Sequence, residues 1–229
     1  MTCGKGMLFT LEGIDGSGKT TQRARIVGQL RIRFPALEIV ETWEPGATEF
    51  GQKIRDLVLT PRAYREGDPD PVTLALLILA DRSEHLRKIV LPALSRGAVV
   101  ISDRFADSTY AYQGYGAGIP RYVLKTVMNE ISCLNNKTRE DALKKYFIHT
   151  FFLDLPLEAA QKRITKNERW DDATGVFKQR VLDGYGILRG MDPGRFTTIP
   201  ADGPINAVTG EVLSRMTAMI SAHYGIERR

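Results

Sequence analysis

Short apolar runs alternate with longer stretches in which apolar residues return every three or four positions. This alternation predicts strands separated by helices. Residues 7–11 predict a first, compact apolar strand, followed by a glycine-rich turn and a helix over about 19–34 that Pro35 stops. Residues 38–42 predict a second strand. A helix over 50–59 ends at Thr60-Pro61, and 62–71 reads as a polar loop. From 72 to 94 Leu74, Leu77 and Ile78, then Leu86, Ile89 and Val90, keep helical spacing, which predicts one long helix with a polar middle. Further strands are expected at 98–102, 146–155 and 195–199. Helices are expected near 108–113, 120–131, after Pro156, at 175–189 and at 208–223. Strands separated by helices argue for a parallel sheet covered on both faces. No repeat or linker divides the 229 residues, so a single domain over 1–229 is expected.

Composition leaves this picture intact. Hydrophobic residues make up 43% and charged residues 26%, as in ordinary globular proteins. The net charge of +5 comes with no basic tail, so no nucleic-acid partner is expected. Cys3 and Cys133 form neither a disulfide framework nor a CxxC pair. The first residues lack the apolar core of a signal peptide, and the uncharged run 72–80 is far short of a membrane span. A reducing, aqueous compartment, the cytoplasm, is expected, with no membrane partner.

The chemistry begins at Gly13-Ile14-Asp15-Gly16-Ser17-Gly18-Lys19-Thr20, which fits G-x-x-x-x-G-K-[ST] between a predicted strand and a predicted helix. Glycines let backbone N–H groups turn inward around an anion, and the helix start adds its positive end. Lys19 is placed to reach the β- and γ-phosphates of a nucleoside triphosphate, and Thr20 to offer a hydroxyl to Mg²⁺. Asp103, closing the strand Val99-Val100-Ile101-Ser102-Asp103, is the expected second metal ligand. A GTPase would need Asn-Lys-x-Asp, but Asn136-Lys137 has Arg139 at the last position. Glu44, Arg55, Arg82, Asp103-Arg104 and the basic stretch with Lys162, Arg163, Lys166 and Arg169 suit a second anionic substrate.

Four segments make the resemblance specific. Phe9 to Gln22 contains the phosphate loop, and Glu44-Pro45-Gly46-Ala47-Thr48 precedes Gly51-Gln52-Lys53-Ile54-Arg55. Ala80-Asp81-Arg82-Ser83-Glu84-His85 is the third, and Ser102-Asp103-Arg104-Phe105-Ala106-Asp107-Ser108-Thr109-Tyr110-Ala111-Tyr112-Gln113-Gly114 the fourth. In this order they resemble the thymidylate kinases among the P-loop nucleoside monophosphate kinases. The resemblance implies a three-layer α/β sandwich of the P-loop NTP hydrolase type, with five parallel strands and a helical lid at about 162–173. It implies phosphorylation of dTMP to dTDP by ATP-Mg²⁺ in direct phosphoryl transfer for DNA precursor supply, and a homodimer through the long helices.

By position, the resemblance gives Arg104 and Arg55 the acceptor monophosphate. Arg82, Thr109 and Gln113 take the base, Tyr112 the underside of the sugar and Ile78 the place of a stacking ring. Asp15 falls near the acceptor's sugar or phosphate, and Glu44 closes that pocket. Catalytic roles fall to Lys19, Asp15 and Arg104. Some thymidylate kinases carry an arginine inside the loop, where this chain has Gly16. The further cation is therefore expected from the lid, at Arg163 or Arg169, since an arginine offers a fork where Lys166 offers a point charge. Trp43 replaces the usual arginine before Glu-Pro-Gly, Ile148-His149 replaces the usual Pro-Asp, and the lid is about one residue shorter than common. Two other readings stay open here: another pyrimidine or deoxynucleoside monophosphate kinase of relaxed base preference, and a nucleotide-binding regulator that has lost catalysis.

Overall fold

A computed structural model describes residues 6–60, 69–134, 143, 146–164 and 175–226. Five strands, β1 (Met7–Glu12), β2 (Ile39–Trp43), β3 (Val99–Asp103), β4 (Phe147–Asp154) and β5 (Phe196–Pro200), form one sheet in the order β2-β3-β1-β4-β5. Every pairing is parallel. The two-residue period sorts the side chains of the central strands into two layers. Met7, Phe9 and Leu11 of β1, with Val99 and Ile101 of β3, join a large core completed by Ile26, Tyr185 and Met216. Leu8 and Val100 point the other way, into a core with Leu86, Val90, Leu94 and Phe105. The expected sandwich with helices on both faces is therefore the fold.

The helices are α1 (Lys19–Arg33), α2 (Glu49–Leu59), α3 (Pro71–His85), α4 (Leu91–Ser95), α5 (Ala106–Thr109), α6 (Arg121–Leu134), α7 (Leu157–Arg163), α8 (Gly175–Met191) and α9 (Ile205–Tyr224). Caps explain several starts. The Thr48 side chain accepts the Gly51 N–H before α2, and Asp70 accepts that of Val72 before α3, with Pro71 opening the helix.

The helix expected over 72–94 is interrupted. A π-helical turn, Leu86–Val90, separates α3 from α4. Pro92 cannot donate to the preceding turn, and a widened turn ahead of it accommodates that loss. A second π turn, Tyr110–Gly116, follows α5, where only a short helix is expected. β5 begins one residue later than expected, although the Arg195 carbonyl still accepts the Thr150 N–H at 2.9 Å while its side chain grips Asp107. Most of the proposed lid, including Lys166, Arg169 and Asp171, lies outside the described residues, as does Asn136-Lys137.

The register brings the site together. Leu11 pairs with Asp103, so the carboxyl ends of β1 and β3 emerge level and their loops lie side by side.

Candidate active site

The loop between β1 and α1 takes the conformation its glycines allow. Gly13, Gly16 and Gly18 have φ of 145°, 83° and 91°. Gly16 is also closed in sterically. A Cβ there would lie 3.0 Å from the Ala160 carbonyl carbon on α7, and nearer still to its oxygen. The absence of an arginine at this position is thus built into the packing of α7 on the loop. Lys19 is buried and donates to the Ile14 carbonyl at 2.8 Å and the Ser17 hydroxyl at 3.3 Å. Burial, and then the positive charge of Arg104, lower its pKa to about 8. The Thr20 hydroxyl donates to the Asp103 carboxylate at 2.6 Å. This pair supplies hard oxygen donors. Among the described residues no group of three or more His, Cys, Asp or Glu side chains could hold a metal. A small hard cation completed by phosphate oxygens and water fits such a sparse site.

Beside the loop, Arg104 has φ 68°, and among the described residues no other non-glycine residue has a positive φ. Its guanidinium stacks 4.9 Å from the Tyr112 ring centre and donates to Gly13 O at 3.2 Å and Ser108 Oγ at 3.0 Å. It also pairs with the Asp15 carboxylate, which accepts the Tyr112 hydroxyl at 2.9 Å. Burial alone would raise the Asp15 pKa, but Arg104, Lys19 and the Tyr112 hydrogen bond together lower it. A carboxylate therefore neutralises the Arg104 guanidinium, a group expected from the sequence to take an anionic acceptor. Arg55 lies across the cavity and donates to the Pro45 carbonyl at 3.1 Å.

Arg82 is buried and held on several sides. Nε and Nη2 donate to Glu44 Oε2 at 2.9 and 2.6 Å, and Nη2 also reaches Phe105 O at 2.9 Å. His85 meets the other Glu44 oxygen at 2.8 Å and Thr42 at 2.6 Å. Burial opposes ionisation of Glu44, yet Arg82 and His85 hold its pKa below the usual carboxylate value. Asp81 responds oppositely. Burial and the neighbouring Glu44 raise its pKa to about 6, and one of its oxygens has no partner. Thr109 is buried as well, and its hydroxyl is unpartnered. An orphaned buried hydroxyl costs stability unless something completes it.

These side chains line one cavity of about 870 Å³, near the upper end of the range for small-molecule sites. Lys19, Thr20, Asp103 and Arg163 stand toward the phosphate loop, and Glu44, Arg55, Ile78, Arg82, Thr109 and Gln113 line the same space. Asp15, Arg104 and Tyr112 line it too, whereas Gly13 and Ile14 build the loop without lining it. Arg163 closes α7 and donates to the Ala201 carbonyl at 2.9 Å. Arg169 lies outside the described residues.

Sequence reasoning assigns no role to Glu12, Ser108 and Tyr185, a buried hydrogen-bonded group under Arg104, or to the separate ion pair of Asp107 with Arg195. The one available signal is a carboxylate at the end of a strand that is otherwise apolar but for Thr10. Arg23 is also missed. It donates to Glu41 at 2.9 Å, stacks 4.9 Å from the Trp43 ring and stands 3.7 Å from Asp103.

Comparison with known proteins agrees with this geometry. The profile of the family described as Thymidylate kinase matches residues 11–212. The thymidylate kinase of Desulfosudis oleivorans is 37% identical over 220 residues, covering 92% of this chain and 96% of its own. That of Clavibacter michiganensis is 37% identical over 221 residues, covering 95% and 97%. Among solved structures, the thymidylate kinase of Ehrlichia chaffeensis superposes with a TM-score of 0.71 at 30% identity, covering 92% of this chain and 99% of the other.

Proposed function

The chain belongs to the thymidylate kinase family, and on that premise we propose that it phosphorylates dTMP to dTDP, taking the terminal phosphoryl group of ATP directly. One observation carries the reading. A single cavity is lined by Lys19 and Thr20 of the phosphate loop, by Arg55 and Arg104, and by Arg82, Thr109 and Gln113. Those are the groups that a triphosphate, an acceptor phosphate and a pyrimidine base would each need.

Direct transfer needs alignment and neutralisation of charge rather than a covalent nucleophile. The backbone N–H groups of residues 13–18 would cradle the donor phosphates. Lys19 would exchange its hydrogen bonds to Ile14 and Ser17 for phosphate oxygens. Arg104 and Arg55 would hold the acceptor phosphate, with Asp15 released from Arg104 toward the acceptor's sugar. Tyr112 would pack under that sugar, Ile78 would form an apolar floor, and Arg82, Thr109 and Gln113 would face the base. Glu44 would close this pocket by fixing Arg82. Thr20 and Asp103 would hold Mg²⁺, which when bound neutralises phosphate charge. Arg163 and Arg169 are our candidates for the cation that covers the transferring group.

Residues 7 to 200 contribute to one sheet, which supports one domain over 1–229 with a lid at about 162–173. Exposed Val72 and Leu76 on α3 and Tyr122 on α6 support pairing of two copies through the long helices. No helix among the described residues is long and apolar enough to cross a membrane. Our reading places the protein in the cytoplasm, where DNA precursors would be made. The test is ADP release from ATP-Mg²⁺ with dTMP, dUMP, dCMP, AMP and GMP in turn. Turnover with dTMP well above the others is expected. Turnover confined to a purine monophosphate would overturn the base assignment.

A further inference from the structure

Glu12 is fully buried at the end of β1 and does not itself line the cavity, yet both its oxygens are engaged. Oε1 accepts the backbone N–H of Phe105 at 2.7 Å and that of Ser108 at 3.3 Å. Oε2 accepts the Ser108 hydroxyl at 2.6 Å and the Tyr185 hydroxyl at 2.9 Å. The same Ser108 oxygen accepts Arg104 Nη1 at 3.0 Å. A carboxylate can only accept, so it draws the Ser108 proton toward itself and leaves the hydroxyl lone pairs for the guanidinium.

The backbone of Arg104 is held in the same manner. Its N–H donates to Leu11 O at 3.0 Å, its carbonyl accepts the Ser102 hydroxyl at 2.7 Å, and the next N–H is the one Glu12 takes. A left-handed arginine persists only where its surroundings over-determine it. Asp107, two residues on from Phe105, is fixed separately by a bidentate Arg195 at 2.7 and 2.8 Å.

We propose that Glu12 is a positioning residue for acceptor binding: through Phe105 N–H and the Ser108 hydroxyl it sets the direction of the Arg104 guanidinium that receives the acceptor's phosphate. This rests on the reading of Arg104 as the acceptor-phosphate ligand. The observation that distinguishes it from plain core stabilisation is the directed chain Arg104 to Ser108 to Glu12. In Glu12→Gln the amide oxygen can still accept from Phe105, but the new NH₂ faces the Ser108 and Tyr185 hydroxyls. The Ser108 proton then loses its fixed acceptor and is divided between the Tyr185 hydroxyl at 2.9 Å and the side facing Arg104, so no lone pair is held on the guanidinium. In Ser108→Ala there is no hydroxyl to turn.

The experiment is a double-mutant cycle in steady-state kinetics with dTMP and ATP-Mg²⁺. Glu12→Gln should raise the KM for dTMP by about tenfold or more and leave the KM for ATP within about twofold. In the Ser108→Ala background the same substitution should change the dTMP KM by less than about threefold. Effects that multiply independently, or a dTMP and ATP KM that rise together, overturn the proposal. Absence of wild-type turnover with dTMP would instead overturn the acceptor reading, so the two failures are separable. If Glu12→Gln does not fold, a pH series on the wild type and Ser108→Ala takes its place. Burial and then Asp107 raise the Glu12 pKa to about 7, against the opposing pull of Ser108, Arg104 and Tyr185. From pH 6 to 8 the dTMP KM should fall more steeply in the wild type than in Ser108→Ala, since titration of the nucleotide is common to both. Equal slopes overturn the proposal.

Discussion

Adding a single methyl group at Gly16 should destabilise this chain more than the same change two residues later. Gly16 and Gly18 share a left-handed backbone, with φ of 83° and 91°, and an L-residue at either costs about 1–3 kcal/mol in strain. Their surroundings differ. A Cβ on Gly18 meets nothing within 4 Å, whereas one on Gly16 meets the Ala160 carbonyl group of α7 at 3.0 Å and closer. Backbone cannot swing aside as a side chain can, so Gly16→Ala adds an overpacking cost of about 1–3 kcal/mol that Gly18→Ala lacks. For a chain of this size 1 kcal/mol corresponds to about 2–4 °C in Tm. Gly16→Ala should therefore melt roughly 2–12 °C below Gly18→Ala when both are followed by circular dichroism in the same buffer. Comparing the two variants cancels the strain they share. Equal melting temperatures would mean that α7 yields freely, and the explanation offered here for the missing loop arginine would fall with it. On the same reasoning Gly16→Arg should not restore a loop cation, but should lose both stability and turnover.

Arg163→Ala or Arg169→Ala should lower kcat by a factor on the order of 10³ with little change in the KM for dTMP; unchanged kcat in both would place the cation elsewhere. Thr109→Val should raise the dTMP KM about three- to tenfold while holding or improving Tm, because it removes a buried hydroxyl that no group among the described residues satisfies. A loss of Tm with an unchanged KM would contradict that. Glu12 carries a stability signature of its own. Its folded pKa of about 7 lies above the ordinary 4.5, so between these values the folded chain binds the extra proton, and stability falls as pH rises through the window. Glu12→Gln should lack this decline, which denaturant titrations at pH 5, 6 and 7 would reveal; curves parallel to the wild type would refute it.

What could be read along the chain was local, and what could not was long-range. The phosphate loop is legible because each of its residues acts within eight positions of the others, and the strands because β1 and β3 are apolar throughout but for Thr10, Ser102 and the acidic residues at their ends. Gln113, Thr109 and Tyr112 are similarly grouped by one turn of chain. Glu12 is different. Its partners Ser108 and Tyr185 lie 96 and 173 residues away, and nothing near Glu12 in the sequence points to either. Arg82 offered two local carboxylates, Asp81 and Glu84, yet its guanidinium goes to Glu44, 38 residues back. The π turns were hidden for another reason: each is a single widened turn inside a longer helical run, too short to alter the apolar spacing on either side of it.

The departures from the family pattern gain a physical meaning only in the fold. Taken along the sequence, Trp43 is a lost arginine, but its ring supports the guanidinium of Arg23 at 4.9 Å. Arg23 comes from α1, is braced by Glu41 at 2.9 Å, and stands 3.7 Å from the Asp103 carboxylate inside the same cavity. A cation over an aromatic face is stabilised by about 0.5–2 kcal/mol, more as water is excluded. With Trp43 on β2, the positive charge beside Asp103 comes from Arg23 on α1. Ile78 follows the same logic with the opposite outcome. It packs with Ile54, Val58 and Leu74 between α2 and α3, so on the proposed reading it would offer the base an apolar floor backed by a firm cluster but no ring to stack on. Recognition of the base would then lean on the polar edge, where Thr109, Gln113 and the Glu44-braced Arg82 line the cavity. The substitution that should most affect base preference in this chain is accordingly at Thr109 or Gln113, and Ile78 should tolerate Leu or Met with little change in selectivity.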